Sequence, residues 1–328
     1  MTKIASLLTL LVTVLVSSLP AAPALAQRDR VFVASYGSDT NPCTFGSPCK
    51  TFQNAVDVVA TGGEVTAIDS AGFGPINITK SVTITSPAGV EAGIAAAAGG
   101  NAVTVNAPGA SVVLSGLTLI GSGVGVNGIQ ATAANLEVVN CAIRGFSNGA
   151  GANGVGIFLV PGAAMNFLIS NSIVADNAFG IYYLYNGSSA AGSINGVIDH
   201  VVATNNSTDS ISINSGNVAE PSYVTISNTT SSNNGGDGLN VTNNVATRFI
   251  VEVDLSYFNN NHNNGIAVSG VGSSSVVLLG RSVVTSNGGL GITWNAGITV
   301  ATYGDNRINW NGTNDLSFDL DNTDDTLR

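Results

Sequence analysis

The chain has 328 residues, 44% of them hydrophobic and only 9% charged, with 40 glycines and 20 Asp plus Glu against 10 Lys plus Arg. Disordered chains combine low hydrophobicity with high charge, and nucleic-acid binders carry a basic footprint, so this composition excludes both. With aromatic residues at 6%, the water-facing surface must be built mainly from Asn, Ser, Thr and Gly.

Residues 1–26 read as a secretory signal: Lys3, an apolar run from Ile4 to Val16, then Ala24-Leu25-Ala26 as a small-residue cleavage site. That run is shorter than the ~20 apolar residues needed to cross a bilayer, and no later stretch is capable of spanning. The expectation is a secreted, periplasmic or cell-surface protein with no membrane span once the signal is removed. An oxidising compartment allows Cys43 and Cys49, which enclose a short Gly/Pro-containing loop, to pair, leaving Cys141 buried and reduced.

Residues 27–68 are expected to form an N-terminal cap. Val31-Phe32-Val33 is a strand, Gly37 to Pro48 a loop, and Thr51 can N-cap a helix in which Phe52, Ala55, Val56 and Val59 share a face. Gly62-Gly63 would end the helix, and Val65-Thr66-Ala67-Ile68 would enter the first repeating coil.

From residue 69 to 315 the organising signal is internal repetition. A small residue followed by Ile or Leu recurs at Gly128-Ile129, Gly156-Ile157, Gly180-Ile181, Ser210-Ile211, Gly238-Leu239, Gly265-Ile266 and Gly291-Ile292, in steps of 24 to 30 residues. Asn140, Asn171, Asp199, Asn228 and Asp254 end alternating apolar runs with the same period, and a third set including Asn177, Asn205, Asn233, Asn260 and Asn287 precedes the next small-Ile element. Each unit holds three short strand-like pieces separated by Asn/Gly/Ser turns, too short for helical repeats. Stacking must therefore bury what one unit cannot, with the Ile and Leu residues in one inward column and Asn in left-handed turns. The predicted fold is all-β: a right-handed parallel β-helix, a solenoid closed at its start by the strand-helix cap. Residues 316–328 form an acidic C-terminal tail in this reading.

The segment Val31-Phe32-Val33-Ala34-Ser35-Tyr36-Gly37-Ser38-Asp39, followed by Pro48-Cys49-Lys50-Thr51-Phe52-Gln53-Asn54-Ala55-Val56, resembles the N-terminal cap of exported bacterial β-helix proteins of the pectin-lyase-like superfamily. The later coils are similar to its generic right-handed repeats. The resemblance implies a fold rather than an activity, since that superfamily contains lyases, hydrolases, epimerases, tailspikes and proteins without known chemistry.

Family enzymes usually work on the outer surface of the first strand of each coil. Alternation places Gln130, Phe158, Tyr182, Ser212, Asn240, Ala267 and Thr293 there as one outward ladder, and Thr132, Val160, Leu184, Asn214, Thr242, Ser269 and Asn295 as a second. Neither contains a charge. Resemblance to pectate lyases would imply acidic calcium ligands and an Arg or Lys base on this face, and those residue types do not occupy these positions. Phe158 and Tyr182, with Tyr185 close by, are instead suited to bind the faces of neutral sugars while Ser212 and Asn240 reach their hydroxyls; equally, such rings suit a locally covered patch, shielded by the loop from Asn186 to Gly196 or packed on another subunit.

One constellation fits catalysis. Asp209 and Asp237 each lie two residues before an inward Ile or Leu, so consecutive coils would stack their carboxylates about 5 Å apart, with His262 on the same turn of the next coil. Such a set can act as acid and nucleophile on a glycoside or hold a cation; equally, Asp before Gly is a common turn device. No cofactor is expected, calcium being the one cation these carboxylates could hold, and zinc lacks its four ligands. The favoured expectation is an exported, non-catalytic β-helix protein that binds neutral polysaccharide, as a monomer or trimer. The alternatives are a polysaccharide lyase or glycoside hydrolase using Asp209, Asp237 and His262, and a structural or adhesive solenoid.

Overall fold

Short strands with one apolar face and one polar face can bury the apolar face only by wrapping, and this chain wraps into a right-handed parallel β-helix. The computed structural model describes residues 28–147, 154–185, 193–216, 220–244, 247–270, 276–295 and 298–316. Residues 1–26, expected to be a signal, and most of the expected acidic tail lie outside the described residues.

The cap begins with strand β1 (Arg28–Val33), which pairs in parallel with β2 (Val59–Ala67). Between them the helix α1 (Phe52–Val58) starts at Thr51, whose extended backbone and side-chain acceptor for Asn54 N–H make it the N-cap. Phe52, Ala55 and Val56 are buried as expected. Val59 departs from expectation: the helix stops one residue before it, and Gly62, at φ +82°, sits within β2 rather than ending the helix. A disulfide joins Cys43 to Cys49, both fully buried, and Cys141 is free and buried.

Beyond the cap the coils present three faces. The first carries strands such as Val155–Leu159, Phe179–Leu184, Ile211–Asn214, Leu239–Asn243 and Ile266–Gly270. The second carries Met165–Ser170, Ile194–Asp199, Ser222–Ser227 and Phe249–Asp254. A third, of short strands such as Val202–Thr204 and Thr230–Ser232, contains ten strands of two to four residues among the described residues. Two thirteen-residue strands, Val103–Ser115 and Asn127–Val139, turn the corner between the first two faces. The inward column Ile129, Ile157, Ile181, Ile211, Leu239, Ile266 and Ile292 is in continuous register. All seven are essentially inaccessible, each burial stabilising by roughly 1.5–3 kcal/mol. Val103 and Ile76 extend the column toward the cap.

Two corners hold the coils in step. At the corner from third to first face, Asn177, Asn206, Asn234, Asn261, Asn287 and Asn311 form a ladder in which each side-chain N–H donates to the next coil's side-chain oxygen at 2.8–3.2 Å. The same oxygens accept the backbone N–H of the preceding Asn. The third periodic set of the sequence thus divides in two: Asn177 and Asn287 belong to this ladder, whereas Asn205, Asn233 and Asn260 lie one position earlier with positive φ. The ladder also explains the small residue before each Ile, since a Cβ on Gly238 would sit 2.6 Å from Gly265 O and 2.7 Å from Asn261 Nδ2.

At the corner from second to third face the left-handed residue is Asn140, Asn171 and Asn228 in three coils, but His200, Leu255 and Arg281 in others. Asp199 and Asp254 are instead the last residues of their strands. Coil geometry fixes the turn at this step whatever the side chain, at a cost of about 1–2 kcal/mol for a residue unsuited to it. Hydroxyls of Ser172, Thr229, Ser256 and Ser282, each donating to the carbonyl two residues back, occupy the next position.

Candidate functional site on the first face

Register places Gln130, Phe158, Tyr182, Ser212, Asn240, Ala267 and Thr293 side by side on the outer surface of the first face. Phe158 and Tyr182 stack with ring centroids 5.4 Å apart and planes 27° apart, and Phe179 stacks on Tyr182 at 5.3 Å and 24°. Phe179, at the start of the Tyr182 strand, was not singled out by alternation; an aromatic immediately before a Gly-Ile pair is the signal that finds it. Phe158 and Ser212 point outward in register yet remain only 9% and 8% exposed, because neighbouring side chains on coils about 4.8 Å apart cover one another. Tyr182, Phe179 and Asn240 keep intermediate exposure. Tyr185, expected near this platform, is instead buried in the core, as the alternation from Ile181 requires.

Asp209 and Asp237 lie on consecutive coils at the turn leading into this face. Asp209 Oδ1 accepts the backbone N–H of Asp237 at 2.9 Å, and its Oδ2 accepts Asn240 Nδ2 at 3.0 Å. Asp237 Oδ1 in turn accepts both the backbone N–H and the side-chain Nδ2 of Asn264 at 2.9 Å, and Asn264 Oδ1 accepts the backbone N–H of Leu290. The carboxylates therefore form the first two rungs of a ladder completed by an amide, each tying its coil to the next. Burial, followed by the charge of Asp209, pushes the Asp237 carboxyl above its ordinary range. Burial and the same charge push the Tyr182 phenol up.

His262 is two residues from Asn264 along the turn. Its backbone N–H donates to Asn234 O, the same bond that Gly235 and Gly288 make to Asn206 and Asn261 in adjacent coils. Its side chain lines a groove of about 390 Å³ with Asn233, Asn260 and Ser286, and among the described residues no hydrogen bond or ion pair joins it to Asp209 or Asp237. No group of three or more His, Cys, Asp or Glu among the described residues is placed to hold a metal ion. Arg281 is paired with Asp254 beside the second face. No helix among the described residues is long and apolar enough to cross a membrane.

No protein-family profile and no curated protein sequence matches the chain. Solved structures do. The pectate lyase Pel9A superposes with a TM-score of 0.62 at 13% identity, covering 88% of this chain and 80% of the lyase. The GH136 lacto-N-biosidase from Eubacterium ramulus superposes at 0.54 and 10% identity, covering 88% of this chain and 67% of that enzyme. At such identities the likeness concerns the course of the backbone. Together with the register of the coils, it gives this chain a parallel β-helix fold.

Proposed function

We propose that the protein is an exported, non-catalytic carbohydrate-binding β-helix whose first face holds neutral polysaccharide. The observation that carries this reading is the Phe158–Tyr182–Phe179 stack beside Ser212 and Asn240. Contact with two rings restrains Tyr182, so its exposed surface offers a rigid apolar platform to a pyranose, with amide and hydroxyl groups on the following coils for sugar hydroxyls. Neither outward ladder of this face carries a charge, which favours a neutral chain over a uronate. The carboxylates at the turn into this face, Asp209 and Asp237, are engaged with the backbone of the next coil. The signal-like residues 1–26 and the bridged cysteines accord with a secreted, periplasmic or surface location.

Incubating the purified protein with a panel of neutral glycans, while recording retention and product release together, tests the proposal. Tyr182→Ala is expected to weaken retention severalfold with the melting temperature nearly unchanged, because an outward ring contributes little to the core. Unchanged retention of a glycan that the wild type binds would remove the platform. Release of reducing ends by the wild type, lost in Asp237→Asn, would replace this reading with a hydrolase.

A further inference from the structure

A second strip of surface, on the second face, has the chemistry of a ligand site and is separate from the first-face aromatic stack. Asn135, Asn166 and Asn195 project outward from successive coils and are joined side chain to side chain: Asn166 Nδ2 donates to Asn135 Oδ1 at 2.9 Å, and Asn195 Nδ2 to Asn166 Oδ1 at 3.2 Å. In contrast to the buried corner ladder, all three are exposed. The register continues from Asn195 to Tyr223, which is 45% exposed, and alongside run Leu168 and Val197, the latter 39% exposed. These side chains line a groove of about 400 Å³ crossing four coils, a length of about 14 Å at 4.8 Å per coil.

An amide can make four hydrogen bonds. Asn166 spends one donor and one acceptor within the row, which fixes its plane and leaves one N–H and one lone pair for a ligand. The row is thus a pre-oriented series of paired donors and acceptors beside apolar carbon, ending on an aromatic ring. That combination suits a chain bearing alternating hydroxyls and C–H faces. Charge decides between neutral and acidic glycans. No Lys or Arg lines the groove, whereas Glu137 does, and Glu252 follows Thr225 in the Leu168–Val197 row, so a polyuronate would meet only like charge.

We infer that this groove binds a neutral polysaccharide lying along the solenoid axis, with Tyr223 as the stacking group and the Asn135–Asn166–Asn195 row as the hydroxyl-binding group. The site is independent of the first face, and the experiment removes that face beforehand. The parent is the full chain carrying Tyr182→Ala, run by affinity electrophoresis in gels cast with glucomannan, xyloglucan or mixed-linkage β-glucan, and with polygalacturonate as the anionic control. The parent should be retarded by at least one neutral glycan and not by polygalacturonate. Adding Tyr223→Ala should weaken that retardation at least fivefold, and Asn166→Asp, which removes the donor to Asn135 and adds a charge, should weaken it as well. Melting temperatures should stay close to the parent's. A parent that no neutral gel retards, retardation indifferent to Tyr223→Ala, or preference for polygalacturonate would each overturn the inference. So would a parent dimer in light scattering that Tyr223→Ala dissociates, since the strip would then be a contact between copies.

Discussion

The corner between the third and first faces is filled in two different ways along the same solenoid. From Asn177 onward it holds the buried amide ladder. One coil earlier the equivalent position is Phe146, whose backbone N–H donates to Asn177 Oδ1 while its ring, fully buried, lies on backbone. Cβ atoms on Gly121, Gly125 and Gly128 would reach that ring at 2.7–3.1 Å. Hydrocarbon fills the early corner by volume, and volume can be supplied from several positions. Amides fill the later corner by direction, and a directional bond demands the same residue at the same backbone step in every coil. The later coils accordingly announce their period in the sequence, and the earlier ones do not.

The largest effect expected is at the volume-filled corner. Phe146→Ala should cost about 3–5 kcal/mol in urea unfolding, because glycines on the facing coils cannot collapse into the space. Hydrogen exchange should show the loss in the coils before Asn177. Next comes the directional corner. Asn234→Ala strips Asn206 of the acceptor for both its backbone N–H and its Nδ2, leaving two buried donors unpaired at roughly 1–3 kcal/mol each. A cost below ~0.5 kcal/mol, ordinary for a surface change, would break the distinction between the two corners.

The same contrast explains what could be read without coordinates. The Ile column, the outward ladder and the pairing of Cys43 with Cys49 follow from alternation, period and compartment, and the structure has them in register. Two coils near the cap lacked the small-Ile signature, because Pro75 stands before Ile76 and because Val103 rather than Ile or Leu follows Ala102, so their place in the column was hidden. The offset between Asn205 and Asn206, or between Asp199 and His200, was not legible either, since neighbouring polar residues satisfy the same turn pattern and only the backbone decides which takes positive φ. At the candidate site, the outward order of Phe158, Tyr182, Ser212 and Asn240 was legible. Their mutual covering was not, as burial there depends on ring orientation.

A third test concerns the cap, where closure is covalent. Replacing both Cys43 and Cys49 by Ser should cost ~2 kcal/mol by chain entropy, and thiol titration of the unfolded, unreduced wild type should find one thiol. That thiol is Cys141, which burial pushes up to about 11 in the folded chain, so it should be unreactive until unfolding. The smallest effect belongs to the carboxylate rung at Asp237. Its folded pKa is raised above the unfolded ~3.9, so the ionised form costs stability at neutral pH and the cost disappears as pH falls through the folded value. Asp237→Asn, which keeps the acceptor for Asn264, should melt slightly higher at neutral pH, with the difference shrinking toward pH ~4. A lower melting temperature at neutral pH would show that the charge itself ties the coils.

The corner amides also have a polarity. From Asn177 to Asn311 every side chain directs its oxygen toward the preceding coil and one N–H toward the C-terminal end, and the last, Asn311, donates to the carboxylate of Asp315 at 2.9 Å. Six amide dipoles pointing one way add up as peptide dipoles do in a helix, leaving the final N–H groups partially positive. A carboxylate there neutralises that end as an acidic residue does at a helix N-terminus. Asp315 is thereby a terminator: it satisfies the array electrostatically and occupies the acceptor position that another coil's Asn would need. Among the described residues the stack of amides stops at a charge, and a coil added on this corner would have to displace it.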